Sequence, residues 1–428
     1  MAAHDHVSDP PHGARPSPAP GGGPTRPGLG PGYRWLLGAA GSANLADGIV
    51  KAALPLLAVR LTDSPALVAG VAFAAGLPWL LASLHAGALA DRLDRRRTML
   101  LANLARAAVL AAFTGTIAAG LDRIWLLYAV ALGLGIAETL HDTSAQSFLP
   151  QLVGRDRLAA ANGRLYGVEI TANQFVGPPL GAFVLAASAV VAIAVPSSLF
   201  AVAALALARI HGAFRPERTH PPTSLGADVR EGLQVLWRHR LLRTFAWMVG
   251  VMNLAGTATF AVLVLYARGP MGLSEGEYGI LLTASAVGSL LASLVTERIE
   301  AAVGRVRTLR IAILTGVLAG IVPAVTADRW LVGASMVVFG VGVILWNVVV
   351  VSFRQRVTPD HLLGRINAGF RLLAWGTMPL GAALAAVLGE LAGVRAVFWA
   401  SATIVALLLL VRITDADLDA ADVVGPAT

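Results

Sequence analysis

The sequence predicts an all-α integral membrane protein of twelve transmembrane helices, arranged as two pseudo-symmetric six-helix bundles. Three observations predict it. Of the 428 residues 56% are hydrophobic and only 14% charged, against roughly 25% charged in soluble proteins, which leaves too little polar surface to cover a globule of this size. Apolar runs of about 20 residues, the length that crosses a bilayer, recur along the chain. Short motifs of the first half return in the second at offsets between 200 and 210 residues, the mark of a duplicated bundle.

Composition also excludes several chemistries. The chain has no cysteine, so disulfides, thiol catalysis and cysteine-based metal sites are absent. Lys51 is the sole lysine, and no Walker A phosphate loop, GxSxG elbow or HExxH pair occurs. No ATP motor is encoded here. His85 and His141 are too far from any histidine partner to suggest a metal, and His4 with His6 lies in the N-terminal tail. No cofactor and no nucleic-acid partner is expected.

The elements follow in order. Residues 1–32 hold eight prolines and seven glycines with no apolar stretch before Tyr33, so they are read as a disordered cytoplasmic tail and not a signal peptide. Spanning runs near 34 to 60, 65 to 89, 98 to 119, 124 to 147, 160 to 185 and 188 to 208 make a first bundle at 33–210. Residues 211–241 are the longest polar connection. Its second part reads as a helix opened by Ser224, with Val229, Leu233, Leu236 and Trp237 on one face and Arg230, Glu231 and Arg238 elsewhere, suited to lie on the inner leaflet. Runs near 243 to 267, 275 to 296, 308 to 326, 330 to 351, 365 to 388 and 394 to 411 make a second bundle at 242–412. Residues 413–428, with Asp415, Asp417, Asp419 and Asp422, are an acidic cytoplasmic tail. The alternating ten-residue segments of a β-barrel are not found.

Arginines orient the chain, because positive charge is retained on the cytoplasmic side. With both termini inside, the tails and the five inner connections carry 26 of the 33 basic residues, while the six outer loops carry only Arg60, Arg123, Arg268, Arg329 and Arg395. Lys51 and Arg106 lie within spans. The repeat is visible in Asn44-Leu45-Ala46 against Asn253-Leu254-Ala255, Ser147-Phe148 against Ser352-Phe353, and Pro179-Leu180-Gly181 against Pro379-Leu380-Gly381.

An ionisable group at the bilayer centre costs roughly 2.5 to 3.5 kcal/mol, so each one within a span is a functional candidate. Asn44, Asp47 and Lys51, spaced i, i+3, i+7, fall within about 60 degrees of one helical face, a polar stripe that must look into the bundle. The matching positions in the second half are Asn253, Gly256 and Phe260, so both charges belong to one half. Asp47 either makes a structural salt bridge with Lys51, or exchanges a proton or contacts a cationic cargo; Glu169 is its rival as the coupling carboxylate. Arg106 pairs with Asp47 or Glu138, or snorkels to the headgroups. Glu138 with Asp142, and Glu169 with Asn173, are i, i+4 pairs on the inner parts of the fourth and fifth spans, and they serve the site or brace its inner gate.

Two motifs remain. The stretch GALADRLDRRRTML, Gly87 to Leu100, sets four arginines and two aspartates between two apolar runs and must be a short charged turn in water. Its Asp91 can accept from the positive end of a neighbouring helix, and its arginines can pair with acids or headgroups. Gly177-Pro178-Pro179, followed by Gly181, removes two backbone donors from the fifth span and bends it where neighbours re-satisfy the carbonyls.

With these residues in view the chain resembles the major facilitator superfamily of transporters. Gly87, Asp91, Arg92, Arg95, Arg96 and Arg97 match the signature turn of that superfamily, while Asp94 stands where a glycine is usual. The NLAD stretch at Asn44 to Asp47, Glu138 with Asp142, Pro150, Ala161-Asn162, GPPLG at Gly177 and EGLQVLWRHRLLR are similar to a subgroup holding macrolide-efflux and enterobactin-exporter proteins. The resemblance implies a secondary transporter that exports a small organic molecule, such as a drug, antibiotic or siderophore, across the cytoplasmic membrane. Transport would proceed by alternating access, as proton antiport, in a monomer embedded in lipid. It also implies that the turn latches the second helix to the eleventh, where Arg371 lies, and that a mid-membrane site is lined by spans 1, 4, 5, 7, 8, 10 and 11, with Trp79, Trp346, Asn347 and Trp375 as lining candidates. Ala129 stands where many proton-coupled members carry an arginine, and Asn173 and Ala182 stand where the exporter motif has glycines. Uptake, lipid flipping and a membrane sensor on the same scaffold are the alternatives.

Overall fold

A computed structural model describes residues 29–81, 93–154, 157–212, 214, 234, 236–358 and 360–424. The N-terminal tail, most of the linker helix and Gly87, Asp91 and Arg92 of the charged turn lie outside the described residues. The helices are α1 (Pro31–Leu61), α2 (Pro65–Leu81), α3 (Arg95–Ala118), α4 (Ile124–Leu152), α5 (Leu158–Glu169), a π-helical segment (Ile170–Val176), α6 (Gly177–Ala187) and α7 (Ala189–Ala208). The second half comprises α8 (Arg240–Arg268), α9 (Glu275–Ser293), α10 (Thr296–Val303), α11 (Arg305–Val325), α12 (Arg329–Val357), α13 (Asp360–Gly376), α14 (Met378–Ala392), α15 (Val394–Leu407) and α16 (Asp415–Val424). Among the described residues nine helices are long and apolar enough to cross a membrane, or ten with the bent pair α9 and α10. The shorter apolar helices Pro65–Leu81 and Val394–Leu410 occupy the places of the second and twelfth expected spans.

Helix starts follow local chemistry. Asp94 accepts from Arg97 N, Ser188 from Val191 N and Asp328 from Trp330 N and Leu331 N, while Ser274 and Glu277 form a capping box, each satisfying donors that a helix leaves open at its N-terminus. The expected eighth span ends early. The chain bends by 63° between α9 and α10, because Glu297, Arg298 and Glu300 of α10 cannot follow α9 through an apolar layer. The expected fourth and tenth spans run longer, to Leu152 and Val357. Their overhangs carry the repeated Phe148 and Phe353, both fully buried, against Phe214 and Phe245 with ring centroids 4.8 and 5.4 Å apart.

The fifth span is irregular where the prolines predict, and the irregularity takes a specific form. A π-helical turn occupies 170–176, and Pro178 and Pro179 open α6 just after it. The carbonyl of Phe175, four residues before Pro179, accepts from Thr283 Oγ1 of α9 at 3.5 Å, so a neighbouring helix meets the backbone group that proline frees. Gly177 and Gly181 serve contact with α1: a Cβ on Gly177 would lie 2.5 Å from Gly48 Cα, and one on Gly181 2.5 Å from Ile49 O. In the second half Gly381 approaches Leu254 O of α8 in the same manner.

One end of the molecule carries the arginine-rich connections and the other the arginine-poor loops. Across the arginine-poor end a single apolar core runs through both halves, joining Leu57, Val68 and Leu185 to Val262, Tyr278 and Phe398. At the arginine-rich end the second half has its own core around Phe245, Leu309, Trp346 and Phe353. The halves meet mainly where α2 packs on α14 and α6 on α9.

The segment expected to be a solvated acidic tail contains a docked helix. In α16 Leu418 is fully buried, Asp415 accepts from Val306 N, Arg240 pairs with Asp417, and Arg305 pairs with Asp419. Clustered basic residues at the ends of α8 and α11 give the acids a reason to order. Of the expected linker face, Leu236 is buried in the second-half core while Trp237 stays half-exposed, edge-on to Trp247.

Candidate functional site

A cavity of about 390 Å³ opens in the arginine-rich half of the molecule. From α1 it takes Asn44 and Asp47, from α4 Glu138, His141 and Asp142, and from α5 and the π segment Asn162, Glu169 and Asn173. Met99 of α3 adds an apolar patch, and among the described residues Trp375 of α13 is the one lining residue from the second half. The cavity runs from Leu36 to Asp47 along α1, a depth of about 16 Å at 1.5 Å per residue. Five residues singled out by sequence, Asn44, Asp47, Glu138, Glu169 and Asn173, therefore line one cavity. The rise in cost of burying a charge in lipid explains why they turn inward.

The central ion pair joins Asp47 to Arg106, not to Lys51. Arg106 is 1% exposed, so it does not snorkel; its Nη1 lies 3.3 and 3.5 Å from the two Asp47 oxygens. Its guanidinium carbon stands 5.1 Å from the Phe200 ring centroid, a cation–π support from α7. The Nε and Nη2 atoms of Arg106 are buried with no hydrogen-bond partner among the described residues. Lys51 is exposed and has Glu138 as its electrostatic neighbour. Glu138 is also within the field of Asp47, Asp142 and Arg106, and Glu169 within that of Asp142 and Asp47. His141 Nδ1 lies 3.2 Å from Asp142 Oδ1. Among the described residues no group of three His, Asp or Glu side chains is placed to hold a metal ion.

Other expected site residues lie elsewhere. Asn253, the repeat partner of Asn44, donates to Ala374 O at 2.7 Å and so braces the backbone next to Trp375. Asn347 is exposed and bonds its own helix at Val343 O, and Trp346 is 3% exposed in the second-half core against Phe245. Neither lines the cavity. Of the other two expected lining aromatics, Trp375 lines the cavity and Trp79 does not; Trp79 instead packs against Trp375, with centroids 4.4 Å apart, edge to face. Around Gly256 and Phe260, the counterparts of Asp47 and Lys51, the second half holds only a cavity of about 30 Å³ with Met252, Met336 and Phe339 in its wall.

The described part of the charged turn grips the start of the linker. Asp94 caps α3 with one oxygen and with the other accepts from Phe214 N at 3.1 Å. Arg95 N donates to Phe214 O, and Arg96 donates to Ile210 O. Arg97 is exposed. The residue that departs from the superfamily pattern, Asp94, thus holds the linker together with Arg95 and Arg96. Arg371 lies in α13 with its side chain outside what is described.

Sequence reasoning missed the contacts that close the arginine-poor end. Arg60 of α1 makes a two-pronged pair with Glu275 of α9, at 2.8 and 2.7 Å, and also donates to Leu185 O of α6. Glu390 of α14 accepts from Ser64 Oγ at 2.7 Å and from Ala66 N at 3.3 Å. The partners are 215 and 326 residues apart, and no local pattern connects them.

The profile of the transmembrane secretion effector family matches residues 27–425. The multidrug efflux pump Tap of Mycolicibacterium fortuitum is 31% identical over 384 residues, covering 85% of this chain and 91% of that protein. The enterobactin exporter EntS of Shigella boydii serotype 4 is 25% identical over 358 residues, covering 80% and 82%. Among solved structures, the nucleoside transporter NupG superposes with a TM-score of 0.72 at 14% identity, covering 89% of this chain and 98% of that one. A bacterial homologue of the iron transporter ferroportin superposes at 0.66 and 15% identity, covering 91% and 98%. The chain belongs to the transmembrane secretion effector family and is an efflux transporter of the major facilitator superfamily.

Proposed function

We propose that the protein exports a small organic molecule across the cytoplasmic membrane by alternating access, in exchange for protons, as a monomer of two six-helix bundles with both termini cytoplasmic. The observation that carries this reading is the carboxylate-lined cavity reaching the arginine-rich end while Arg60 and Glu275 tie the halves at the other. Arginines stay on the cytoplasmic side, so this conformation is open inward and closed outward. Cargo enters the cavity from the cytoplasm or inner leaflet. Rocking of one bundle against the other then separates Arg60 from Glu275 and closes the inner side.

Asp47 is the proposed coupling carboxylate. A proton on Asp47 cancels its attraction for Arg106, whose other nitrogens have no partner in reserve, and so changes the energy of this ion pair with each cycle. The linker grip at Asp94 and Arg96 passes movement of the turn to the connection between the bundles.

The test is a transport assay in inverted vesicles with a substrate panel, with and without a pH gradient. Cargo should accumulate only with the gradient. Asp47→Asn should abolish substrate-induced proton flux, and the double variant Asp47→Asn/Arg106→Gln, which leaves no orphan charge, should be equally uncoupled. Normal flux in the double variant transfers the role to Glu169.

A further inference from the structure

The balance of charge around the cavity defines the class of molecule it accepts, an inference that rests on the export reading above. Four carboxylates, Asp47, Glu138, Asp142 and Glu169, line the cavity, while Arg106 and Lys51 stand beside it outside the lining. The four are not equivalent. Asp47 is held by Arg106, and Asp142 lies against His141. Glu138 and Glu169 have no hydrogen-bond donor among the described residues, and both line the cavity. Glu138 has two basic neighbours, Arg106 and Lys51, and neither lines the cavity with it; among the described residues no basic group acts on Glu169.

Trp375 is the second half's contribution to the lining among the described residues, and Trp79 packs against it edge to face. An indole face is the strongest side-chain partner for an organic cation. Asn44, Asn162 and Asn173 add amides that serve as donors or acceptors. The volume, about 390 Å³, suits a drug-sized ligand. The repeat-related cavity in the second half is small and apolar, so it offers no charge of its own. Like charges placed in a low-dielectric site repel strongly. Among the described residues the lining holds four carboxylates and no arginine or lysine, so an anion of the same size would be repelled.

We propose that the cargo is a drug-sized organic cation, with its positive groups set against Glu138 and Glu169 and its apolar or aromatic body against Trp375. Glu138 and Glu169 recognise the cargo, while Asp47 with Arg106 answers to the proton.

The test uses the full-length protein in inverted vesicles and in detergent. The cations tetraphenylphosphonium, ethidium and dequalinium are compared with the near-isosteric anion tetraphenylborate and with neutral triphenylphosphine oxide. The cations should be transported, and the anion and the neutral compound should not. Binding of labelled tetraphenylphosphonium to the purified protein should fall at least tenfold in Glu138→Gln and in Glu169→Gln, and more in the double variant. Lys51→Gln should tighten it several-fold, a gain that misfolding cannot produce. Transport of tetraphenylborate or the neutral compound in preference to every cation would overturn the cation assignment and leave export standing. So would binding of tetraphenylphosphonium that is indifferent to both glutamates and to Lys51. Failure to move any member of the panel would instead count against the export reading itself.

Discussion

Arg106 and Asp47 show how one residue pair sets the character of the site. Arg106 is 1% exposed and the Asp47 side chain 30% exposed, so the guanidinium is sealed in protein while the carboxylate looks into the cavity. Removing one member of a buried pair leaves the other charge uncompensated, at a cost of about 3 to 5 kcal/mol. Because Asp47 has access to the cavity and Arg106 does not, Asp47→Asn should destabilise more than Arg106→Gln. The double variant should lie closer to the parent than the sum of the two single losses, the signature of a coupled pair. Thermal unfolding in detergent checks this; strictly additive losses would show that the two side chains do not interact. The polar residues of α1, α4 and α5 were legible in the sequence because an ionisable group in an apolar run must face inward. The partner of Asp47 was legible only as a choice between Lys51, four residues on along the same helix, and Arg106, 59 residues away, because spacing along one helix does not say which helices pack together. Asn253 and Asn347 illustrate the limit of the same rule: an amide in a span satisfies itself by bonding a backbone carbonyl and need not line a site.

Individual elements depart from their expected forms where polar backbone or side chains find partners across the fold. The fifth span passes through a π turn before Gly177-Pro178-Pro179, and the wider turn places Asn173 on the cavity wall, consistent with π segments gathering at functional sites. The C-terminal helix α16 is the clearer case. Asp417 accepts from Thr414 N at 2.9 Å and from Thr414 Oγ1 at 2.7 Å. These bonds, with Arg240 beyond them, hold its carboxyl below the usual aspartate range. A carboxyl depressed in the folded state stabilises above its unfolded pKa, near 3.9, and that contribution disappears as pH falls through the depressed value. Docking of residues 415–424 should therefore survive acidification to pH 5 and weaken only below about pH 4. Thr414→Val should move the onset upward in pH. Hydrogen exchange of this helix, followed against pH, reads both; release already at pH 6 would contradict the assignment.

At the scale of the molecule, the arrangement of contacts is lopsided. One continuous apolar core joins the halves at the arginine-poor end, where Arg60 with Glu275 and Ser64 with Glu390 add polar ties. The cavity occupies the other end. Breaking a tie should shift the population away from this conformation, since a contact made in one state only biases the equilibrium toward that state. The chain contains no cysteine, so a single Asn162→Cys reports on the exposed cavity wall. Adding Arg60→Gln or Glu275→Gln should slow labelling of that cysteine from the cytoplasmic side several-fold. An unchanged rate would mean that the pair does not hold the outer end shut.

Sequence by itself determined where the apolar helices lie, that the chain is a repeat of two halves, and that Asp47 and Lys51 have no charged counterpart in the second half. These are properties of local windows: the transfer energy of a helix is summed over about 20 consecutive residues and needs no knowledge of its neighbours. Tertiary structure alone decided that Asp47 meets Arg106, that Asp94 holds Phe214, that Arg60 reaches Glu275, and that Trp375 crosses over to complete a wall otherwise built by the first half. Coulombic and hydrogen-bond energies fall off within a few ångströms, so they are settled by which helices pack together, and that order is not written in the spacing of residues along any one of them.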